Sequence, residues 1–163
     1  MRKLRLMKRS VIFLLVVLGL GVSASAQTRL PGFDQYPAKV ERVRAKSINF
    51  KGNPDAHRYR AVLTDALKHG VDFGGHYIIA IWGCGTACTA GGIIDARTGD
   101  VFWPRELAGI YTTFDEPIQK KSNSRLVIVS QVPATKADLR EDIYFEWKND
   151  RLRRIRSVLH KSN

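Results

Sequence analysis

Cysteine is scarce in this chain: two residues, Cys84 and Cys88, among 163. Neither stands directly after the amino-terminal apolar run, so the acceptor that a lipid-modified lipoprotein requires is missing. The two are spaced C-x-x-x-C, not the C-x-x-C of redox-active pairs, and no helix start adjoins them to lower a thiol pKa. Hydrophobic runs are short as well. A dozen apolar residues rising about 1.5 Å each cover roughly 18 Å, against a hydrocarbon thickness of about 30 Å, which excludes a retained membrane-spanning helix. Repeats, low-complexity tracts and an evident linker are all absent, which argues against several domains. Acidic residues are few, 15 against 27 Lys and Arg, for a formal net charge of +12.

The amino terminus accounts for part of that charge. Arg2, Lys3, Arg5, Lys8 and Arg9 precede the apolar stretch Val11 to Leu20, and Ala24-Ser25-Ala26 supplies small residues where a signal peptidase reads. Residues 1–26 are therefore expected to be a cleaved signal peptide, with residues 27–163 forming a single periplasmic or secreted domain and no transmembrane anchor left after cleavage. The five cations of the leader take the 27 down to 22 against 15, a mature net charge of +7. The densest cluster is Arg151, Arg153, Arg154, Arg156 and Lys161. Such a strand could face anionic lipid headgroups, lipopolysaccharide phosphates or an acidic polymer. Keeping an exposed sheet edge soluble is the simpler role, and nucleic acid is not an expected partner outside the cytoplasm.

The mature length, 163 less 26 or 137 residues, suits one domain with one core. Residues 27–37 read as an irregular surface stretch, and 39–50 as one short strand. A helix is predicted from Pro54 to Lys68, capped by Asn53 and ended by Gly70, with Ala56, Tyr59, Leu63, Ala66 and Leu67 as its buried stripe. His76 to Trp82 is apolar nearly throughout and is predicted to be the middle strand of a sheet, covered on both faces. Asp95 and Gly99 define a turn between Gly91 to Asp95 and Val101 to Trp103. A strand over Arg125 to Ser130 follows the turn at residues 121–124. Ile143 to Lys148 and Arg151 to Arg156 make a last hairpin around Asn149-Asp150. There Ile143, Phe145 and Trp147 share a face, whereas Leu152 and Ile155 have opposite parity and require an exposed residue or a bulge. The predicted fold class is α+β, mainly β, with one amphipathic helix on an antiparallel meander of about five or six strands.

Three segments together carry a resemblance: Phe73-Gly74-Gly75-His76-Tyr77, Trp82-Gly83-Cys84-Gly85-Thr86-Ala87-Cys88, and Ile94-Asp95-Ala96-Arg97-Thr98-Gly99-Asp100-Val101. The chain resembles, over about its middle third, a family of small exported bacterial proteins that has no assigned activity. The resemblance implies export and a mostly β domain. It implies no site residues.

The cysteines admit several chemistries. Four residues of extended strand separate Cα atoms by about 13 Å, whereas a disulfide needs roughly 4.4 to 6.8 Å, so the glycine-flanked loop must curl. An oxidising compartment then favours a Cys84–Cys88 disulfide that stiffens the turn. A Cu(I) site of Cys84, Cys88 and His76 is the metal alternative, although His76 would stand over roughly 20 Å away along an extended strand. A redox pair and a Cys nucleophile with a His base are the others; His57, His69 and His160 read as surface residues. Asp95 and Asp100 read as turn residues and not a calcium loop, and Trp82, Trp103 and Trp147 as packing residues and not a sugar platform. No catalytic residue and no cofactor is assigned.

The expected function is non-enzymatic binding of an envelope or extracellular partner through a disulfide-stiffened loop. Thiol or copper handling and an inhibitor or immunity-type role are the alternatives. An enzyme would instead gather His76, Asp72 or Asp95 with a thiol in one pocket.

Overall fold

The computed structural model describes residues 29–161, so the expected signal peptide lies outside the described residues. The first helical elements are α1 (Pro54–Arg58) and α2 (Arg60–His69). Asn53 caps the start by accepting a hydrogen bond from the Ala56 amide at 3.0 Å, and Pro54 occupies a position where its missing N–H costs nothing. Gly70 ends α2 at φ 84°, a conformation costly for any residue with a Cβ. The one helix expected over 54–68 is in fact two, broken at Tyr59, which leaves helical geometry where its ring stacks on Trp82 at a centroid distance of 4.4 Å.

Among the described residues eight strands follow, all antiparallel, in two four-stranded sheets. The first sheet contains β1 (Tyr77–Gly85), β2 (Cys88–Asp95), β3 (Val101–Phe102) and β4 (Ile110–Tyr111), with β2 paired to the other three. The second runs in order β5 (Ile118–Gln119), β6 (Leu126–Gln131), β7 (Leu139–Lys148) and β8 (Arg151–Lys161). The mainly β, α+β class therefore holds. The single meander of five or six strands does not, because the strands divide between two sheets and the two-residue β4 and β5 carry no alternation long enough to read.

The predicted middle strand is also corrected. Among the described strands β1 pairs with β2 alone and stands at an edge, while β2 is hydrogen-bonded on both sides. Its two-faced apolar character reports burial of faces, not of edges. Ile79 joins a core shared by both sheets, containing Ile93, Leu107, Val127, Val129, Phe145 and Trp147. Ile78 and Ala80, on the opposite face, pack with Leu63 and Leu67 of α2 and with Ile94. The helix thus lies on one face of the first sheet, as its stripe predicts.

At the last hairpin, Asn149 and Asp150 take φ 52° and 55°, the positive values that a two-residue turn between twisted strands requires. The parity conflict of β8 is resolved by a bulge: Tyr144 opposes Arg156 and Phe145 opposes Arg154, leaving Ile155 as the extra residue, 39 % exposed, while Leu152 is buried. Residues 31–38 are less superficial than expected. A short 3-10 turn at Phe33–Gln35 lays Phe33 and Tyr36 against Leu126, Ile128 and Tyr144 on the outer face of the second sheet.

No strand forms over 39–50. That segment is held instead by isolated bonds, Glu41 N–H to the Gly75 carbonyl and Asn49 N–H to the Gly99 carbonyl, both 2.8 Å. Gly99 sits at φ 83°, and a Cβ there would fall far inside van der Waals contact with the Ser47 carbonyl oxygen. Gly99→Ala is therefore expected to lower stability by about 2 to 4 kcal/mol, from backbone strain plus the steric clash, as read by urea denaturation.

Candidate functional site

The two cysteines meet at the tip of the β1–β2 hairpin. Regular pairing runs to Gly83 opposite Thr89 and resumes at Gly85 opposite Cys88, so Cys84 is an extra residue in the ladder. Gly85 at φ 142° and Ala87 at φ 52° tighten the turn. The result is a Cys84–Cys88 disulfide with Cα atoms 5.0 Å apart. Gly83, Cys84, Gly85 and Thr86 are exposed. β4 braces the far arm: Tyr111 opposes Cys88, and the Thr112 amide donates to the Ala87 carbonyl at 2.9 Å. Tyr111 itself is 53 % exposed beside the disulfide, and nothing in the sequence marks it because its neighbour, Cys88, is 23 residues upstream.

His76 lies at the opposite end of β1 and faces carboxylates instead of sulfur. Its Nδ1 is 3.9 Å from Glu41 and its Nε2 is 4.0 Å from Asp95, with the ring packed on Tyr77 at 4.0 Å. Arg97 binds Glu41 with two nitrogens and holds its carboxyl below the usual range. His76 and Asp95 are thus brought together, but with no thiol. Both sulfurs are committed to each other, and among the described residues no group of three His, Cys, Asp or Glu could hold a metal ion. The Asp95–Asp100 loop has taken up its carboxylates internally: Asp95 accepts from the Arg97 amide at 2.8 Å, and Asp100 accepts from Thr98 at 2.8 Å and Asn49 at 2.6 Å. Trp147 is core, whereas Trp82 and Trp103 are half-buried, pack edge to face on each other at 6.1 Å and both lie against Tyr59.

Asp72 borders the other side of β1. Its carboxylate accepts the Ile79 amide at 3.0 Å and pairs with Lys120 at 3.2 Å, while burial pushes its pKa up against those two effects. Beyond it opens a groove of about 480 Å³ lined by Ile81, Phe33 and residues 115–121. Short-range sequence pattern carries no sign of this groove, which joins three segments distant along the chain.

One further polar cluster is cross-strand. Asp142 accepts from Ser130 Oγ at 2.6 Å and Arg140 Nε at 2.7 Å, and His160 Nε2 is 3.2 Å away. The carboxylate sits between the hydroxyl and the imidazole, so His160 does not contact Ser130 and the geometry of a Ser-His-Asp triad is not met. His57 and His69 engage Arg60 and the Asp65 carbonyl on the helices. No helix among the described residues is long and apolar enough to cross a membrane. Comparison with family models, curated proteins and solved structures finds no match to this chain.

Two outcomes are expected. Replacing both Cys84 and Cys88 by Ser should cost about 2 kcal/mol in urea denaturation, the chain-entropy value for so short a loop, and leave the circular dichroism spectrum folded. Asp72 binds its proton more tightly folded than unfolded, so its contribution is fully present below the ordinary carboxylate pKa and is lost as pH rises through the raised value. Relative to Asp72→Asn, the native protein should therefore gain stability as pH falls across that window, measured by denaturation at a series of pH values.

Proposed function

We propose that this chain is an exported, non-enzymatic binding protein of the periplasm or extracellular space, with its contact surface built on the cross-linked tip of the β1–β2 hairpin. The observation that carries this reading is the Cys84–Cys88 disulfide at a hairpin tip whose residues 83–86 are exposed. Such a bond persists in oxidising compartments and contributes little to the stability of a domain this size, so its effect is on the shape of one surface turn. Tyr111 adds an exposed aromatic to the same surface, a residue type favoured in contact patches. The leader-like residues 1–26 and the mature charge of +7 (22 against 15) support export to a surface rich in anionic groups.

The open edge of β8 is the more basic surface, with Arg151, Arg153 and Arg154 exposed on it. Arg154 is bound to Glu141 at 3.0 Å. We assign these cations to protecting an eleven-residue edge from pairing with other chains.

The test is the intact mass of the protein purified from the cell envelope or medium, with and without reduction and alkylation, beside elemental analysis. The expected species lacks residues 1–26, is two hydrogens lighter than the dithiol form, and takes up alkylating reagent only after reduction. Free thiols before reduction, or stoichiometric copper, would overturn the reading.

A further inference from the structure

The edge of β1 offers more than a scaffold for the disulfide. Ala96 N–H donates to the His76 carbonyl at 2.9 Å, which sets the alternation of the ladder: Ile78, Ala80 and Trp82 turn their peptide groups toward β2, and Tyr77, Ile79, Ile81 and Gly83 turn theirs outward. The start of that outward edge is occupied. The Tyr77 amide donates to the Phe73 carbonyl at 2.9 Å, and the Ile79 amide to Asp72 at 3.0 Å. From the Ile79 carbonyl through Ile81 to Gly83 no strand or side chain among the described residues takes up the backbone groups, because β1 pairs with β2 alone.

Sheet edges in stable proteins are ordinarily short or guarded by charge. β3, β4 and β5 have two residues each, and β8 carries its arginines. β1 is nine residues long and has no Lys, Arg or Pro anywhere along it. Its bare portion opens on the groove of about 480 Å³, within the roughly 300 to 1,000 Å³ of ligand sites. The groove's floor includes Ile81, Pro117 and Ile118. Of its charges, Lys120 is paired with Asp72 and Lys121 lies over the Phe33 ring at 5.0 Å, whereas Asp115 and Glu116 have no ion pair or hydrogen bond among the described residues.

We infer that the groove binds an extended peptide segment that adds as a strand to the Ile79–Gly83 edge of β1, with an apolar side chain against Ile81 and Ile118 and a Lys or Arg beside Asp115 and Glu116. Main-chain hydrogen bonds to Ile81 and Gly83 supply affinity, and the groove floor and its two free carboxylates supply selectivity. A second copy pairing through its own β1 edge is the poorer occupant, since that edge has no cation to meet those carboxylates. The disulfide then serves the accepting strand directly, tying its far end to β2 where a glycine-rich hairpin would otherwise fray. The inference rests on the binding role proposed above, but it concerns a different surface and can fail on its own.

A displayed library of random peptides of about eight residues, panned against the oxidised protein, tests it. Enriched sequences should alternate apolar residues and contain Lys or Arg, and one synthesised from them should slow hydrogen exchange of the Ile81 and Gly83 amides by about tenfold or more. N-methylating that peptide on alternate residues, or combining Asp115→Lys with Glu116→Lys in the protein, should weaken binding by about tenfold in each case. Four results would each overturn it: no enriched sequence, protection elsewhere than this edge, undiminished binding of the methylated peptide, or protection of the two amides by self-association without peptide. A correct mass with a failed selection would leave the exported, disulfide-bonded binding protein standing and remove only this groove.

Discussion

The first hairpin is apolar on both faces, and both faces must be covered. Ile79 and Ile93 on one side and Ile78 and Ile94 on the other are all almost completely buried. Each buried side chain of this kind contributes about 1.5 to 3 kcal/mol, so neither face can be left to solvent without losing much of the stability of a domain this size. One face takes α2 and the other takes the second sheet, whose Val127, Val129, Phe145 and Trp147 close the core. The order of layers, helix then sheet then sheet, follows from that requirement.

Covering faces leaves edges to be managed separately, and the two long edges are managed differently. β8 is guarded by side-chain charge along its length. β1 is guarded only at its first residues, where Asp72 caps the Ile79 amide and is itself held by Lys120 at an unfavourable cost of burial. A partly desolvated carboxylate whose proton affinity is raised is retained here because a bare amide in the same place would also cost free energy. Past that cap, the strand runs unguarded to the disulfide, which restrains the only part of β1 that neither face packing nor the cap holds.

Much of the local structure is legible in the chain. Asn53, Pro54 and Gly70 bound the helical region, Asp95 and Gly99 make their turn, and the parity of Leu152 and Ile155 calls for an exposed residue or a bulge, because each depends on residues within a few positions of one another. The strand expected over residues 39–50 does not form because its alternation is weak and its partners, Gly75 and Gly99, are single backbone groups and not a ladder. The helix break at Tyr59 leaves no mark because the periodicity of the buried stripe survives it. Hydropathy puts β1 in the middle of the sheet because it records which faces are dry and is silent about which strand accepts hydrogen bonds.

Composition and short-range pattern determined that this chain has a basic, mainly β domain with a capped helical stripe, and that Cys84 and Cys88 could meet only if their loop curled. Tertiary structure decided that β1 lies at an edge, that Glu41 and Asp95 flank His76 far from sulfur, and that residues 115–121 form a wall beside Ile81. The division has a physical cause. Turns, caps and alternation are set by neighbouring dihedral angles and side-chain sizes, whereas strand order and grooves depend on which distant surfaces exclude water together.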